Sequence, residues 1–333
     1  MGKLYNMKLK NIKGLVGILS FICLALSACD KINNPIISKG NNVGIPSSGL
    51  TRVTSTNDDD LLKVLVEDFT GHLCTNCPAA GAQCEALVNS TNGNQVVLLQ
   101  NNVSSLAKAV PKGYYPGLPD TAYCNDFIAL ADSEWDNVFI DGTANGMPAT
   151  MVDRLYFNGT PYSPNVYSKE NVSVPFDSLI GTSPTAKIHI ADSMYAPPVS
   201  TLSMSITATL IAPVAGVKYY LVVGLVEDSI YDWQDSVSHN IQYYLKRMTF
   251  RTAINDGGHG WGDTLSAGAS PQTKHYTYAN TAAFRYNSAV VSVPPKVPAR
   301  LWNMAHMYVI AFVYQVTGGQ HNYVVLQAQK LHI

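Results

Sequence analysis

At 333 residues with a formal net charge of −1, the chain is long enough for two domain cores and carries no basic field for nucleic acid. Its 6 cysteines therefore carry the first clue, because what they do depends on the compartment they occupy.

The N-terminus points to export. Lys3, Lys8, Lys10 and Lys13 precede the apolar run GLVGILSFICLALSA, which has secretory-signal length and small residues at its end. The run is shorter than the roughly 20 residues of a membrane span. It closes on Leu26-Ser27-Ala28-Cys29, which resembles a bacterial lipobox. The resemblance implies a signal peptide over 1–28, cut before Cys29, whose thiol then carries acyl chains such as palmitate and anchors the protein to a membrane. Losing the four lysines leaves 18 basic against the 23 acidic residues, a mature net charge of −5. Cys23 departs with the signal and Cys29 carries lipid, so Cys74, Cys77, Cys84 and Cys124 remain. Four thiols in an exported chain point to disulfide chemistry.

Residues 29–57, rich in Asn, Ser, Gly and Pro, read as a flexible tether. Asp58, Asp59 and Asp60 lack the spaced oxygen ligands of a calcium loop and read as a solvated turn. LLKVLVEDF is a near-continuous apolar run, the pattern of a strand buried on both faces. After the Cys74–Cys77 CxxC comes PAAGAQCEALVNS, a helix with proline in its first turn, and then NQVVLLQNN, a second buried strand. This order is that of a parallel-sheet unit. Residues 104–141 interrupt it with an irregular loop and a helical stretch, before NGMPATMVDRLYFNG supplies a turn, a strand and the start of a hairpin. A last helix within SPNVYSKENVSVPFDSLI would close this first domain, over 58–183. From 184 to 333 the chain is a series of β-rich runs, AKIHIAD, LSMSITATLIA, VKYYLVVGLVED, HMYVIAFVYQV and NYVVLQAQKLHI, the last two flanking a turn at Thr317-Gly318-Gly319. They predict a β-sandwich. The fold class expected is α/β plus all-β.

Several chemistries use a CxxC. Zinc needs about four ligands, and no second CxxC or HxxxH follows. His72 and Cys84 complete a set only on paper, since a helix from Cys77 puts Cys84 roughly 10 Å along the axis. Covalent haem needs a histidine where Pro78 stands. A structural disulfide and a redox dithiol remain, and in the redox reading a thiol at a helix N-terminus is favoured as thiolate, so Cys74 would be the exposed nucleophile and Cys77 the resolving thiol. No metal and no cofactor is expected. Elsewhere, the loop Asp256–Gly262 with His259 and Trp261 reads as a long sandwich loop packing its tryptophan, and Arg154 as a structural ion pair. No Ser-His-Asp spacing, P-loop or dinucleotide fingerprint is present.

VLVEDFTGHLCTNCP resembles the strand–loop–CxxC–helix of the thioredoxin superfamily. The resemblance places Asp68 where the family keeps a buried carboxylate that exchanges protons with the resolving cysteine. It likewise likens Gly146-Met147-Pro148-Ala149-Thr150 to the loop whose cis-proline faces the dithiol and shapes a peptide groove. Leu73 stands where tryptophan is usual, and Thr75-Asn76 replaces Gly-Pro, so the direction of electron flow stays open. A second reading also stays open, in which Cys74–Cys77 is only a staple. Cys84 and Cys124 are expected to form a structural disulfide pinning the 104–141 insertion to the helix; a third redox-active thiol is the alternative.

The mature chain as a whole is similar to the outer-membrane protein 28-related family, lipoproteins of Gram-negative anaerobes. TGHLCTNCPA, GMPATMVDR, HNIQYYLKRM and AFVYQVTGGQHNYVVLQAQKLHI carry the similarity. It implies a thioredoxin-like module, an immunoglobulin-like sandwich and an outer-membrane lipid anchor, with thiol chemistry or surface adhesion as the role. The partners implied are the membrane and either protein thiols and disulfides or a surface ligand. Asp30, after the lipidated cysteine, would favour the inner membrane under enterobacterial sorting rules.

Overall fold

Strand β1 (Thr51–Val53) lies inside the expected tether, and β2 (Val64–Thr70) buries all seven of its side chains. Helix α1 (Cys77–Val88) follows, with proline at its start, and then β3 (Val96–Asn102), again buried throughout. Helix α2 (Leu130–Trp135) runs on into a π-helical turn, Asp136–Ile140. Next come β4 (Ala149–Val152) and α3 (Ser173–Leu179). The chain then turns to strands: β5 (Ala186–Ala196), β6 (Thr201–Leu210), β7 (Lys218–Glu227), β8 (Ile230–Gln234) and β9 (Ile241–Lys246). It ends with β10 (Thr249–Ala253), β11 (Asp263–Leu265), β12 (Gln272–Ala279), β13 (Met307–Val316) and β14 (Tyr323–His332). The computed structural model describes residues 51–53, 60–108, 128–140, 147–155, 172–196, 201–279, 302, 306–317 and 322–333. The signal peptide, Cys29, most of the tether, Asp58, Asp59, Cys124 and the turn at Gly318-Gly319 lie outside them.

Among the described residues the result is mostly β with few helices: one mixed sheet and two antiparallel ones. The mixed sheet runs β14-β13-β7-β10-β3-β2-β4, with β11 also pairing β7. Within it β2 and β3 are parallel, Val64 opposite Val96, as the β–α–β order requires. Strand β4 returns antiparallel on β2, Phe69 opposite Ala149.

The mixed sheet draws strands from both sides of residue 183, the expected domain boundary. Thr249 of β10 pairs with Gln100 of β3, and the Thr249 hydroxyl donates to the Gln100 side chain. Residues Gly49–Ile333 form one compact unit. One of its two cores lies between β5–β6 and the inner face of β7 and β13, led by Ile188, Ile206, Leu221 and Val309. The other holds β2, β3, α1, α2 and the opposite face of β7 and β13, led by Phe69, Trp135, Val222 and Phe312. Alternate residues of β7 thus serve both cores, because successive side chains point to opposite faces. Strand β1 is a further departure: it pairs with β5, Thr51 opposite Tyr195, so the tether is structured there.

The loop Asp256–Gly262 packs as expected. The Trp135 indole donates to the Gly260 carbonyl (3.2 Å), and Trp261 lies 5.4 Å from the Tyr323 ring while donating to Glu134. Gly260 has φ +80°, and a Cβ there would meet Ala131 at 2.5 Å.

Candidate functional site

Strand β2 delivers two carboxylates and then the cysteine loop. Since neighbouring side chains of a strand alternate, Glu67 and Asp68 leave on opposite faces. Glu67 meets Arg154 in a fully buried bidentate pair, 2.8 Å at both bonds, with the guanidinium 4.7 Å from the Phe139 ring centroid and 5.0 Å from that of Trp135. The expectation of a structural ion pair at Arg154 holds.

Asp68 faces α1. It pairs in register with Thr150 and accepts one long bond, 3.4 Å, from Gln100; its Oδ1 has no hydrogen-bond partner among the described residues. A Cβ built on Gly81 of α1 would lie 3.7 Å from its Oδ2. Burial, only partly offset by Gln100, raises the Asp68 carboxyl from 3.8 to about 7. Cys84 sits in the same pocket. Its thiol is free and buried, and burial first, then the Asp68 charge, push it well above the usual thiol range, against a hydrogen bond from Thr150. Cys124, the expected disulfide partner of Cys84, lies outside the described residues. An i+7 position from Cys77 turns this side chain inward against β2, into the core.

Beyond Thr70 the chain makes two tight turns, Cys74 N–H donating to Gly71 O (3.0 Å) and Cys77 N–H to Cys74 O (3.2 Å), before α1 begins. Cys74 and Cys77 are joined, with S–S 2.01 Å and Cα–Cα 5.3 Å. Helix α1 starts at Cys77, so Cys74 precedes its first turn. Cys74 was expected to be exposed; it is 4% exposed and Cys77 2%. The Met147–Pro148 peptide is cis. Pro148 comes immediately before Ala149, the partner of Phe69, so the proline loop stands beside the start of the cysteine loop.

The burial of Cys74 has a visible source. On one side, Leu73 N–H donates to Leu106 O at 2.9 Å. On the other, the β8–β9 hairpin closes in. Gln234 Nε2 donates to Gly71 O (3.1 Å) and Cys74 O (3.0 Å), and Asp235 N–H donates to His72 O (2.7 Å). Tyr244 reaches α1, where a Cβ on Gly81 would lie 2.8 Å from its hydroxyl. His72 is itself fully buried; burial first, then Lys246 of the hairpin, hold it down to about 3, neutral at ordinary pH. Sequence reasoning singled out Asp68, Cys74, Cys77 and Pro148 and missed Gln234, Tyr244 and Lys246. The only signal for Tyr244 and Lys246 lay in SVSHNIQYYLKRM, a stretch whose polar residues interrupt any apolar alternation, and Gln234 stands just before it, closing the run IYDWQ. Among the described residues no three His, Cys, Asp or Glu side chains are grouped to hold a metal ion. No helix there is long and apolar enough to cross a membrane.

The fold is similar to that of HBP35 of Porphyromonas gingivalis, with TM-score 0.56 and 13% identity over 82% of this chain and 76% of that one. That likeness concerns the fold alone. A domain of the outer membrane lipoprotein Omp28 from Porphyromonas gingivalis aligns over 45% of this chain and 88% of its own, at 15% identity and TM-score 0.27, too loosely to bear on the fold. No family model matches the chain, and no curated protein does.

Proposed function

We infer that the chain is a cell-envelope lipoprotein, anchored through Cys29, whose thioredoxin-like module exchanges disulfides with thiols through Cys74 and Cys77. The lysine-led apolar run and its Leu-Ser-Ala-Cys ending support the anchor and an outer-membrane location. An immunoglobulin-like reading of β5, β6, β7, β12 and β13 supplies the second module. The observation that carries the redox reading is the junction at the end of β2. A vicinal cysteine pair stands at the first turn of α1, and the same strand holds a buried carboxyl poised near neutral pH on the helix side. A carboxyl near 7 can hold a proton or release one at physiological pH, as thiol–disulfide exchange requires when a thiolate leaves.

In this reading an incoming thiolate attacks one sulfur, a mixed disulfide forms, and the expelled thiolate takes a proton. The reduction potential of Cys74–Cys77 tests it. A potential below about −300 mV, the range of structural disulfides, with no turnover of disulfide substrates, overturns it. Incorporation of labelled palmitate that is lost in Cys29→Ala tests the anchor.

One observation favours a second reading. At 4% exposure Cys74 is as inaccessible as a staple, which suits a binding or adhesion lipoprotein whose sandwich meets a surface ligand. That reading expects the low potential just given.

A further inference from the structure

The β8–β9 hairpin is a two-stranded sheet of its own, hydrogen-bonded into neither larger sheet. Two strands alone are marginal in water, so contacts elsewhere must hold it. Those contacts converge on the cysteine loop. The Gln234 side chain, 1% exposed, takes the carbonyls of Gly71 and Cys74, and the Asp235 amide takes that of His72. Three of the four residues Gly71–Cys74 thus spend their carbonyls on the hairpin rather than on solvent or a partner. Trp233 is buried beside them, while Tyr231 and Val237 stay outside at 57% and 78% exposure.

The hairpin's two ends carry an unusual backbone. Ser229 has φ 58° and Met248 φ 49°, left-handed values at the residues flanking the hairpin on either side. Such conformations cost free energy in residues other than glycine and persist only where the surroundings impose them. Asp228 imposes them here, accepting from Met248 N–H through Oδ1 (3.1 Å) and from the Ser229 hydroxyl through Oδ2 (3.1 Å). Both chain crossings are therefore gathered at one fixed point, the arrangement of a hinge.

We propose that hairpin Ile230–Lys246 is a displaceable cover over the Cys74–Cys77 disulfide, hinged at Ser229 and Met248 and latched by Gln234, which keeps protein thiols from the sulfurs until it swings away. The proposal rests on the exchange reading above. The hairpin takes the backbone groups that an extended partner segment would use, so partner and cover compete for one face. Reduction by a dithiol then balances as follows. The partner's thiolate attacks one sulfur and expels the other as thiolate, which takes up a proton. The partner's second thiol breaks the mixed disulfide, and the partner leaves as a disulfide after giving up two electrons and two protons. A small dithiol needs a smaller opening than a protein does, so only the protein's rate depends strongly on full displacement.

The test compares reduction of the full chain by dithiothreitol and by thioredoxin, followed by trapping of free thiols. Losing the two bonds from Gln234 to the cysteine loop shifts the opening equilibrium by roughly 10–30-fold. Gln234→Ala is expected to raise the thioredoxin rate by about that factor, with a clearly smaller gain for dithiothreitol and an unchanged potential. Where the disulfide is reduced, equal acceleration of both reductants in Gln234→Ala, or reduction with no acceleration of either, overturns the cover. Hydrogen exchange on the unmutated chain supplies an independent measure. The Asp235 amide is expected to exchange faster than the amides of β2, by local opening; exchange only at the rate of β2 overturns the cover. A hairpin that opens by exchange above a disulfide that neither reductant reduces, even in Gln234→Ala, overturns the exchange reading and leaves the cover standing.

Discussion

Glu67 and Asp68 are consecutive carboxylates on one strand, 0% and 2% exposed, and the fold treats them oppositely. Glu67 turns to Arg154 and is held by two bonds of 2.8 Å inside a ring of aromatic side chains. Asp68 turns to α1, where a single 3.4 Å bond from Gln100 is all that offsets burial. A charge that is paired and a carboxyl that resists ionising thus stand side by side, separated only by the pleat of β2.

The Asp68 environment makes stability depend on pH with a definite sign. A carboxyl raised from 3.8 to about 7 binds its proton more tightly when folded. Its favourable contribution is full below about pH 4 and is lost as pH rises to about 7, after which the loss is complete. At 1.36 kcal/mol per pH unit the loss is on the order of 4 kcal/mol. Asp68→Asn should abolish this slope and make the chain more stable than wild type at pH 8 by roughly 2–4 kcal/mol. Urea unfolding at pH 5 and pH 8 checks it; the same slope in both chains would refute the assignment.

The Glu67–Arg154 pair predicts strong coupling. Arg154→Met leaves a carboxylate buried without its cation and should cost roughly 3–5 kcal/mol. Glu67→Gln combined with Arg154→Met should recover much of that loss, because the aromatic surroundings of Arg154 accept an apolar chain. A double-mutant cycle in urea measures the term, and additive losses would contradict it.

The parts of this site that sequence makes legible are those written locally. Strands β2 and β3 show as apolar runs and α1 as a proline-led helix, while Asp68 and Pro148 are singled out only by the resemblance of their segments to a known strand–CxxC–helix layout. The rest depends on long-range pairing that leaves no local trace. Thr249 meets Gln100 across 149 residues, which is what makes one sheet out of two expected domains. Gln234 and Tyr244 interrupt the apolar pattern of their own strands because they serve carbonyls and a helix far away in sequence. Hence the hairpin left only the broken apolar pattern of its own strands, and the burial of Cys74 that goes with it had no signature.

Cys84 provides a direct check on the cysteine assignment. Its thiol is free, buried and pushed up by burial and by Asp68, so its thiolate population is small. Iodoacetamide should leave it unmodified in the native chain and label it fully in denaturant without reductant. Peptide mass mapping reads the outcome, and an unlabelled Cys84 that becomes reactive only after reduction would restore the disulfide to Cys124.

Gly81 ties the hairpin to the helix that carries Cys77. Alanine in a helix interior is ordinarily worth about 1 kcal/mol over glycine. At Gly81 the added carbon would stand 2.8 Å from the Tyr244 hydroxyl, too close without a shift of that ring. Gly81→Ala should therefore be neutral or destabilising on its own and should loosen the hairpin, seen as faster exchange of the Asp235 amide. Tyr244→Phe removes the oxygen in the way. In that background Gly81→Ala should stabilise by about 0.5–1 kcal/mol, reversing sign. Thermal and urea unfolding of the four chains decide the point: a Gly81→Ala effect of the same sign in both backgrounds would mean that Tyr244 does not rest on the helix, and the hairpin would lose one of its anchors to the dithiol.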